Sequence, residues 1–326
     1  MKISRRQFLL QLAAATAALP RASRIASAQS YPSKLIKIIA PVPAGSPLDA
    51  MARLMASALT ARLAQTVIVE NRPGGGTTIG TRAVATAAPD GYTLLAVGLN
   101  HAVGPSISKN LGYDPLRDFA PIAIVGTGSY VLGVAPSVPA RSVKELIDYV
   151  QANPGKLNWG FGQATGPHLF GELFRAATRI DVNKIPYKGG AEAVPDLLGG
   201  RIQMTFGVIA NFLPLIREEK LRALAVGSPT RSPDLPDVPT MIECGLPQLT
   251  RGYWSGLAAP AGTPAEIVNR LNAGINASLA TPEMKASLMK LGYEVRAGSP
   301  QDFGAFLADE IEAWGAAAKL AGIVAQ

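Results

Sequence analysis

The stretch that most constrains the fold is a proline- and glycine-containing turn at residues 41–49, which reads PVPAGSPLD. An apolar, β-branched run at residues 35–40 precedes this turn, and apolar residues at helical spacing follow it directly. The turn therefore predicts a strand that passes at once into a helix. Such a junction points backbone N–H groups and the positive end of a helix dipole beyond the strand end, where an anion can bind.

The start of that helix carries polar side chains that permit two interpretations. Ser46 is predicted to be the N-cap residue, and Asp49 lies three positions later, where its carboxylate can reach back. Asp49 is then either a capping acid with Arg53 as its surface partner, or part of an anion pocket with Ala44, Gly45 and Ser46. Capping alone explains the pattern well, and the position of the turn on a strand end favours the pocket.

The same Ser/Thr-x-x-Asp/Glu pattern occurs at three further predicted helix starts, at Ser142, Thr263 and Ser299. In this pattern the hydroxyl accepts a hydrogen bond from the third residue of the helix, and the acid reaches back to the cap. We therefore expect three ordinary capping boxes at these positions.

Residues 1–28 are predicted to be an export signal. Arg5-Arg6 is followed by an apolar run at residues 8–19 and by the small residues Ala26-Ser27-Ala28. The paired arginines indicate the twin-arginine route. An ordinary secretory signal and an uncleaved anchor are the alternatives, but a bilayer span needs about 20 apolar residues. We expect a periplasmic protein that begins near Gln29.

The charge and cysteine content exclude several classes of protein. The formal net charge is +8, but five of the 31 basic residues and no acid fall in residues 1–28. The remaining 26 basic and 23 acidic residues give +3, which supports no nucleic-acid binding. Cys244 is the only cysteine, so no disulfide and no cysteine metal cluster is expected. We expect neither a cofactor nor a metal.

The order of the predicted elements indicates an α/β fold with a mostly parallel sheet. Apolar runs and helical patterns alternate up to the strand at residues 122–125, and the alternation restarts with a second sheet after residue 131. Three predicted helices close the chain at residues 264–279, 282–291 and 300–321. We expect these helices to complete the first unit. The first domain is then 29–126 plus 255–326, and the second, inserted domain is 127–254.

A glycine-rich loop in the second unit has the same form as the turn at residues 41–49. A predicted strand at residues 157–161 leads into Gly162, Gln163, Ala164 and Thr165, and a helix follows after Gly166, the expected cap. The glycine spacing and the lack of a following acid do not match a dinucleotide fingerprint. The loop is either a structural turn or a site for a smaller anion held by backbone N–H groups and the Thr165 hydroxyl.

Three other strand ends complete the candidate site, because ligands of open α/β sheets lie beyond the carboxyl ends of strands. Asn100 and His101 are predicted to lie in a loop after the strand at residues 92–97. Tyr187 and Gly207 follow strands of the second unit, and Lys188 beside Tyr187 is expected to be solvated. We expect the carboxyl ends of both units to face a common cleft.

The sequence gives little support to catalysis. His101 and His168 are the only histidines, and neither a G-x-S-x-G elbow nor an H-E-x-x-H motif is present. His168 is expected to have a capping or packing role. An exported hydrolase or lyase that uses one of the two histidines remains an alternative to a binding protein, and turnover of a ligand would distinguish the two.

The chain resembles the extracytoplasmic solute receptors of tripartite tricarboxylate transporters, often called the Bug family. The resemblance covers nearly all of the chain after the export signal. The matching stretches are Tyr31-Pro32, residues 41–49 with Ala52-Arg53, residues 69–74 and 89–95, Tyr113-Asp114-Pro115 with Asp118-Phe119, His168-Leu169, and residues 186–189, 224–226, 236–240 and 260–264.

The resemblance implies a two-domain periplasmic binding protein of type II with a ligand cleft between the domains. It implies a monomer that binds a small organic carboxylate and delivers it to membrane permease subunits. A module that presents its ligand to a signalling protein is a further alternative. The chain departs from the family pattern at Ser46, where a second glycine is usual, and at Gly160 and Ala164, where serine and glycine are common.

Overall fold

The computed structural model describes residues 31–162, 165–187 and 189–320, together with residue 325. The predicted export signal lies outside the described residues, as do the expected site residues Gln163 and Ala164 and the neighbouring Lys188. The chain divides at residue 33, and Lys34–Gln326 is the unit that carries the strands and helices described here.

The described part of the chain alternates strands and helices, as an α/β fold requires. The strands are β1 (Ile36–Ala40), β2 (Val67–Asn71), β3 (Thr93–Gly98), β4 (Phe119–Val134), β5 (Asn158–Gly162), β6 (Asn183–Tyr187), β7 (Met204–Val208), β8 (Arg222–Val226), β9 (Gly252–Pro260) and β10 (Glu294–Val295). The helices are α1 (Pro47–Leu63), α2 (Thr78–Ala85), α3 (Leu99–Ile107), α4 (Val143–Ala152), α5 (Gly166–Thr178), α6 (Val194–Leu198), α7 (Ile209–Arg217), α8 (Ala265–Leu279), α9 (Pro282–Lys290) and α10 (Pro300–Leu320).

The strands join in one mixed sheet in the order β2-β1-β3-β9-β4-β7-β5-β6, with β8 and β10 also paired to β4. The pairs β1–β2, β1–β3, β5–β6 and β5–β7 are parallel, whereas every described pair that involves β4 or β9 is antiparallel. The predicted α/β class is confirmed. The predicted mostly parallel character is wrong, because two long antiparallel strands run through the middle of the sheet.

The long strand β4 replaces two shorter predicted strands and the break predicted between them. Its first part pairs with β9, and Tyr130 to Val134 pair with β7. Gly126 and Gly128 interrupt its apolar pattern for reasons of packing. A Cβ at Gly126 would lie 2.8 Å from the Glu294 carbonyl oxygen, and a Cβ at Gly128 would lie 2.1 Å from the Tyr253 ring. These glycines therefore permit close approach and do not end the strand.

Tertiary packing also turns a predicted loop into a helix. Asn100 and His101 are predicted to lie in a loop, but α3 spans Leu99–Ile107, with Pro105 inside it. Helix α3 packs on α10, at the other end of the chain. The burial of α3 against α10 compensates for the weak helix propensity of a segment that contains glycine and proline.

Helix α8 packs on α1 and on β4.

The predicted capping boxes form at two of the three positions. Ser142 Oγ accepts a hydrogen bond from Glu145 N at 3.1 Å, and Ser299 Oγ accepts one from Asp302 N at 3.1 Å. The prediction at Thr263 is wrong, since its hydroxyl donates to the Pro260 carbonyl and the helix starts after Pro264. Within the described residues, no helix combines the length and the apolar character needed to cross a bilayer.

A buried carboxylate ties α10 to β9. Glu310, which is 5% exposed, accepts hydrogen bonds from Trp254 Nε1 and Trp314 Nε1, both at 2.9 Å, and from Arg251 Nη1 at 2.5 Å. The Trp254 ring packs edge-on against Phe303 of the same helix. Two indole groups and one guanidinium thus satisfy an acid that would be costly to bury alone.

Candidate functional site

One cavity is lined by strand ends of the sheet and by the starts of the helices that follow them. It has a volume of about 430 Å³, within the range of roughly 300–1,000 Å³ that is usual for small-molecule sites. We call it the helix-start cavity. It is lined by Pro41, Val42, Ser46, Pro47, Leu48, Thr77, Thr81, Leu95, Ala96, Val97, Gly98, Leu99, Asn100, His101, Tyr130, Thr165, Gly166, Pro167, Val208, Asn211, Tyr253, Trp254, Ser255, Leu291 and Tyr293.

Five helices begin at the helix-start cavity, namely α1, α2, α3, α5 and α7. Among the described residues, no side chain caps the first turn of α2, α3, α5 or α7, and Ser46 caps α1. Of the helices that begin elsewhere, α4 and α9 are capped by Ser142 and Thr281, and α6 and α8 have no described side-chain cap. The first N–H groups of a helix have no partner within the helix. The uncapped starts thus leave N–H groups and positive dipole ends available to an anion in the cavity.

The turn at residues 41–49 is held in shape by Asp49. The buried carboxylate accepts hydrogen bonds from Gly45 N at 2.9 Å, from Arg53 Nε at 3.0 Å and from Asn71 Nδ2 at 2.8 Å. Ser46 Oγ accepts from Asp49 N at 3.3 Å, as predicted for the N-cap. The capping interpretation of Asp49 and its pairing with Arg53 are both confirmed.

This arrangement separates the roles of Ser46 and Asp49. Ser46 lines the helix-start cavity. A lone pair of Ser46 Oγ accepts the hydrogen bond from Asp49 N, so the hydroxyl proton is free to point at a ligand. Burial by itself raises the pKa of Asp49, but hydrogen bonds from Arg53, Gly45 and Asn71 bring that pKa below its ordinary value. Asp49 therefore stays ionised behind the turn. Asp49, Ala44 and Gly45 are not among the residues that line the cavity.

The glycine-rich loop meets the cavity at the start of α5. Thr165 is the N-cap residue and Gly166 is the first helical residue, so the cap lies one position before the predicted one. Thr165 Oγ1 donates to the Gly162 carbonyl at 2.7 Å. A Cβ on Gly162 would lie 2.7 Å from Gly190 N, so Gly162 permits close approach of the neighbouring loop. Thr165 lines the cavity and Gly162 does not.

Gly166 marks the tightest contact on this side of the cavity. A Cβ there would lie 1.9 Å from Tyr130 Oη and 2.8 Å from Leu99 Cδ2. The start of α5 thus lies directly against β4 and the start of α3. Only glycine permits this approach without displacing one of the three segments.

Asn100 and His101 both line the cavity, but His101 is committed to the core. Its Nε2 lies 2.9 Å from the Pro115 carbonyl, and its ring stacks on Tyr113 and meets Phe119 edge-on. Burial lowers the pKa of His101 to about 4, although the bond to Pro115 raises it. The imidazole is therefore neutral near pH 7, and Asn100 is the exposed polar side chain of the pair.

Tyr187 and Gly207 are not among the cavity-lining residues. Tyr187 Oη donates to Asp196 Oδ2 at 2.7 Å, and burial together with this bond raises the pKa of Tyr187 to about 12. Gly207 lies inside β7, and a Cβ there would lie 2.3 Å from the Phe212 ring. Both residues support the second half of the sheet from outside the cavity.

His168 has the packing role expected from the sequence. Its ring stacks on Phe161 with centroids 4.2 Å apart, and its Nε2 lies 3.7 Å from Glu172. Glu172 also accepts hydrogen bonds from Arg175 Nε and Lys184 Nζ, both at 3.0 Å. This cluster fixes α5 to β6 behind the helix start that lines the cavity.

The cluster predicts a pH dependence of stability. Burial raises the pKa of Glu172, but hydrogen bonds from His168, Lys184 and Arg175 bring it down to about 2 from an ordinary 4.5. A lowered pKa contributes stability above the unfolded-state value, and that contribution is lost as pH falls through the folded-state value. We expect the difference in unfolding free energy between wild type and Glu172→Gln to be full above pH 5 and to shrink between pH 4.5 and 2.

Chemical denaturation at several pH values measures this difference. Asp148→Asn is the control, because Asp148 pairs with Lys144 on the exposed face of α4. Exposed pairs of this kind contribute about 0–1 kcal/mol. A Glu172→Gln difference that stays constant from pH 7 to pH 2 would contradict the assignment.

Several cavity residues escape sequence reasoning. Tyr130, Tyr253 and Tyr293 come from β4, β9 and the segment before β10, and they meet only in the folded chain. Asn211 lies in the first turn of α7. The expected strand-end residue Gly207 lies four positions before Asn211 and was the sequence signal nearest to it.

The helix-start cavity carries no charged side chain among the described residues that line it. Nor does any group of three or more His, Cys, Asp or Glu in the described ranges have the arrangement of a metal site. An anion in this cavity would therefore rely on backbone N–H groups, hydroxyl groups and amides, with helix dipoles in support.

Comparison with known proteins points in one direction. Residues 51–323 match the family model described as "Tripartite tricarboxylate transporter family receptor". The protein BugT of Bordetella pertussis (strain Tohama I) is 38% identical over 291 residues, which cover 88% of this chain and 89% of BugT.

Two solved structures extend the similarity to the fold. The periplasmic binding protein BugD is 36% identical with a TM-score of 0.75, over 91% of this chain and 100% of BugD. An R. palustris protein solved with adipate is 34% identical with a TM-score of 0.78, over 91% of this chain and 100% of that protein. The α/β fold is thus that of a periplasmic binding protein.

Proposed function

Since the chain belongs to the receptor family of tripartite tricarboxylate transporters, we propose that it captures a small organic carboxylate in the helix-start cavity and delivers it to the membrane permease subunits. The observation that carries this proposal is the convergence of uncapped helix starts on a cavity without charged side chains among its described lining. A carboxylate suits such a site, because hydrogen bonds to a charged group contribute about 1.5–3 kcal/mol each.

We propose a smaller set of direct contacts than the full group of candidate residues. Ser46, Asn100 and Thr165 line the cavity and contact the ligand, together with backbone N–H groups of α3, α5 and α7. Ala44, Gly45, Asp49, Gly162, Tyr187 and Gly207 act indirectly through the shape of the turns. Gln163 and Ala164 retain their proposed contacts from the sequence.

The experiment that tests the function is mass spectrometry of small molecules released from the purified protein, followed by calorimetry with the molecules found. A retained carboxylate that rebinds and is recovered unchanged supports a receptor. Conversion of that molecule to a product would instead identify an enzyme. Delivery to a permease would be contradicted if the purified protein binds the carboxylate but cells that lack the protein take up that carboxylate normally.

We expect Thr165→Val to weaken binding of the retained carboxylate by about 2- to 13-fold. The substitution removes the hydroxyl oxygen that we propose as a ligand contact, together with the 2.7 Å hydrogen bond to Gly162 that orients it, and a typical hydrogen bond contributes about 0.5–1.5 kcal/mol. Thr86→Val is the matched control, since Thr86 makes the same kind of bond on an exposed helix end. Calorimetry measures both.

Lys188→Met completes this test, because the proposed site does not depend on ion pairing. We expect it to leave the affinity nearly unchanged and Thr165→Val to have the larger effect. The opposite order would mean that an ammonium group dominates anion recognition, and the proposed contact set would then be incorrect.

We propose that the chain forms two lobes, 29–126 plus 255–326 and the inserted 127–254, that close on the ligand. Two features support this. The cavity is lined by residues between 41 and 101 of the first proposed lobe and between 130 and 211 of the second, together with residues 253–255, 291 and 293 near the second crossing and in the C-terminal part. Helix α8 packs on α1, and α10 packs on α3. Small-angle scattering with and without bound carboxylate tests closure, and an unchanged radius of gyration would contradict it.

We propose that export uses the twin-arginine route and that the mature chain begins near Gln29. The order of Arg5-Arg6, the apolar run and Ala26-Ser27-Ala28 supports this. We expect replacement of Arg5 and Arg6 by lysine to prevent appearance of the protein in the periplasm, as measured by fractionation and N-terminal sequencing. Unimpaired export of the double variant would instead indicate the general secretory route.

A further inference from the structure

Three tyrosine rings form a continuous aromatic wall on one side of the helix-start cavity. Tyr130, Tyr253 and Tyr293 all line the cavity. The ring centroids of Tyr130 and Tyr253 lie 5.6 Å apart, and those of Tyr253 and Tyr293 lie 5.3 Å apart at 73°. These distances fall in the range in which aromatic rings attract one another. We call this set the tyrosine wall.

The hydroxyl groups of the wall are largely committed to the protein. Tyr253 Oη donates to the Gly292 carbonyl, and Tyr293 Oη accepts from Ser255 Oγ at 2.5 Å. Tyr130 Oη lies against the backbone of Gly166. Tyr253 is the most exposed ring of the wall, since Tyr130 and Tyr293 are 2% and 4% exposed, and its engaged hydroxyl leaves ring carbon for a ligand. Burial raises the pKa of all three groups, so they stay neutral.

The remaining lining of the cavity mixes a few polar side chains with many apolar ones. Ser46, Asn100 and Thr165 lie at helix starts, where the proposed function places the carboxylate. The other lining side chains are mostly apolar, and they include Leu48, Leu99, Pro167, Val208 and Leu291. Burying a charge without a partner is costly, so the apolar side chains of the lining favour an uncharged portion of the ligand beside its carboxylate.

We propose that the ligand is an aromatic carboxylate, with its carboxylate group at the helix starts and its ring against the tyrosine wall. This inference rests on the proposed function. Aromatic pairs contribute about 0.5–1.5 kcal/mol beyond the area they bury, which corresponds to roughly 2- to 13-fold in affinity for each good ring contact. A saturated ring or an open chain of similar size fills the same space without these contacts.

Calorimetry with matched pairs of ligands tests the aromatic ring. Benzoate is compared with cyclohexanecarboxylate, and phenylacetate with cyclohexylacetate, with hexanoate and adipate as open-chain references. We expect at least one aromatic member to bind 10-fold or more tightly than its saturated partner and than both open-chain acids. Tighter binding of adipate or hexanoate would overturn the aromatic assignment and leave a carboxylate receptor standing.

Binding of the amide benzamide distinguishes failure of the aromatic assignment from failure of the proposed carboxylate-binding function. If benzamide binds as tightly as benzoate, the carboxylate is not recognised, and the proposed function itself is overturned. A loss of 10-fold or more with benzamide, together with a preference for the aromatic ring, supports both proposals.

Variants at Tyr293 locate the effect in the wall. We expect Tyr293→Phe to keep the ratio of aromatic to saturated affinity and Tyr293→Leu to reduce it several-fold. Tyr149→Leu is the control, because Tyr149 packs on the core from α4, outside the cavity. A general loss of folded protein does not change the ratio of aromatic to saturated affinity. The midpoint of thermal unfolding measures that loss separately. An unchanged ratio in folded Tyr293→Leu would overturn the role of the wall.

Discussion

Glu310→Ala is expected to lower the free energy of unfolding by about 3–5 kcal/mol, the range found when one partner of a buried ion pair is removed. Three donors lose their acceptor at once, namely the indole groups of Trp254 and Trp314 and the guanidinium group of Arg251. A buried donor without a partner costs about 1–3 kcal/mol, so the two indoles account for much of the loss. Chemical denaturation measures the effect.

Two further variants sharpen this prediction. Glu310→Gln keeps one carbonyl oxygen for the indole groups, so we expect a loss between that of Glu310→Ala and zero. Asp309→Ala is the control, since Asp309 lies 3.6 Å from the same Arg251 but its side chain is 70% exposed. Exposed pairs contribute about 0–1 kcal/mol. Equal effects of Asp309→Ala and Glu310→Ala would contradict the proposed importance of burial.

Gly166→Ala is expected to weaken binding of the retained carboxylate by roughly 5- to 150-fold, because overpacking a fitted site costs about 1–3 kcal/mol. The new methyl group would lie 1.9 Å from Tyr130 Oη. Tyr130 is 2% exposed, and its ring is held by Phe170 and Tyr253, so it cannot move aside easily. The start of α5 must shift instead, and with it the N–H groups offered to the ligand.

The double variant Gly166→Ala/Tyr130→Phe distinguishes this clash from a general defect. Removing Oη eliminates the 1.9 Å contact and leaves the ring carbon Cζ at 2.9 Å, so we expect binding to recover in part relative to Tyr130→Phe alone. Gly304→Ala is the control, because its nearest neighbour, Pro121 Cγ, lies 3.6 Å away. Failure of Tyr130→Phe to rescue any affinity would contradict a steric cause.

Local sequence patterns predicted the parts of the site that depend on neighbours in the chain. Ser46 caps the helix by accepting a hydrogen bond from Asp49 N–H, and Arg53 pairs with the Asp49 carboxylate; these groups lie within eight residues, and each contact formed as expected. The capping boxes at Ser142 and Ser299 formed for the same reason. Hydrogen bonds between residues three or four apart are encoded by spacing alone.

Local patterns also misled where packing partners lie far away in the chain. A loop was predicted at Asn100 and His101, yet the segment is helical because α10, about two hundred residues later, packs on it. Separate strands were predicted at residues 122–125 and after 131, yet β4 continues through Gly126 and Gly128, where glycine lets Glu294 and Tyr253 approach. The competing influence in both cases is tertiary burial, which overrides intrinsic propensity.

The chemistry of the cavity depends on residues that lie far apart in the chain. The expectation of an anion site follows from turns that can be read along the chain, because helix starts follow strand ends in sequence, and the family resemblance implied that the anion is a carboxylate. The tyrosine wall joins Tyr130, Tyr253 and Tyr293, which are separated by up to 163 positions in the numbering. Only the pairing of β9 with β4 and of β10 with β4 brings these rings to one surface. Sheet register, which spacing along one strand does not encode, therefore determines which aromatic side chains line the cavity together.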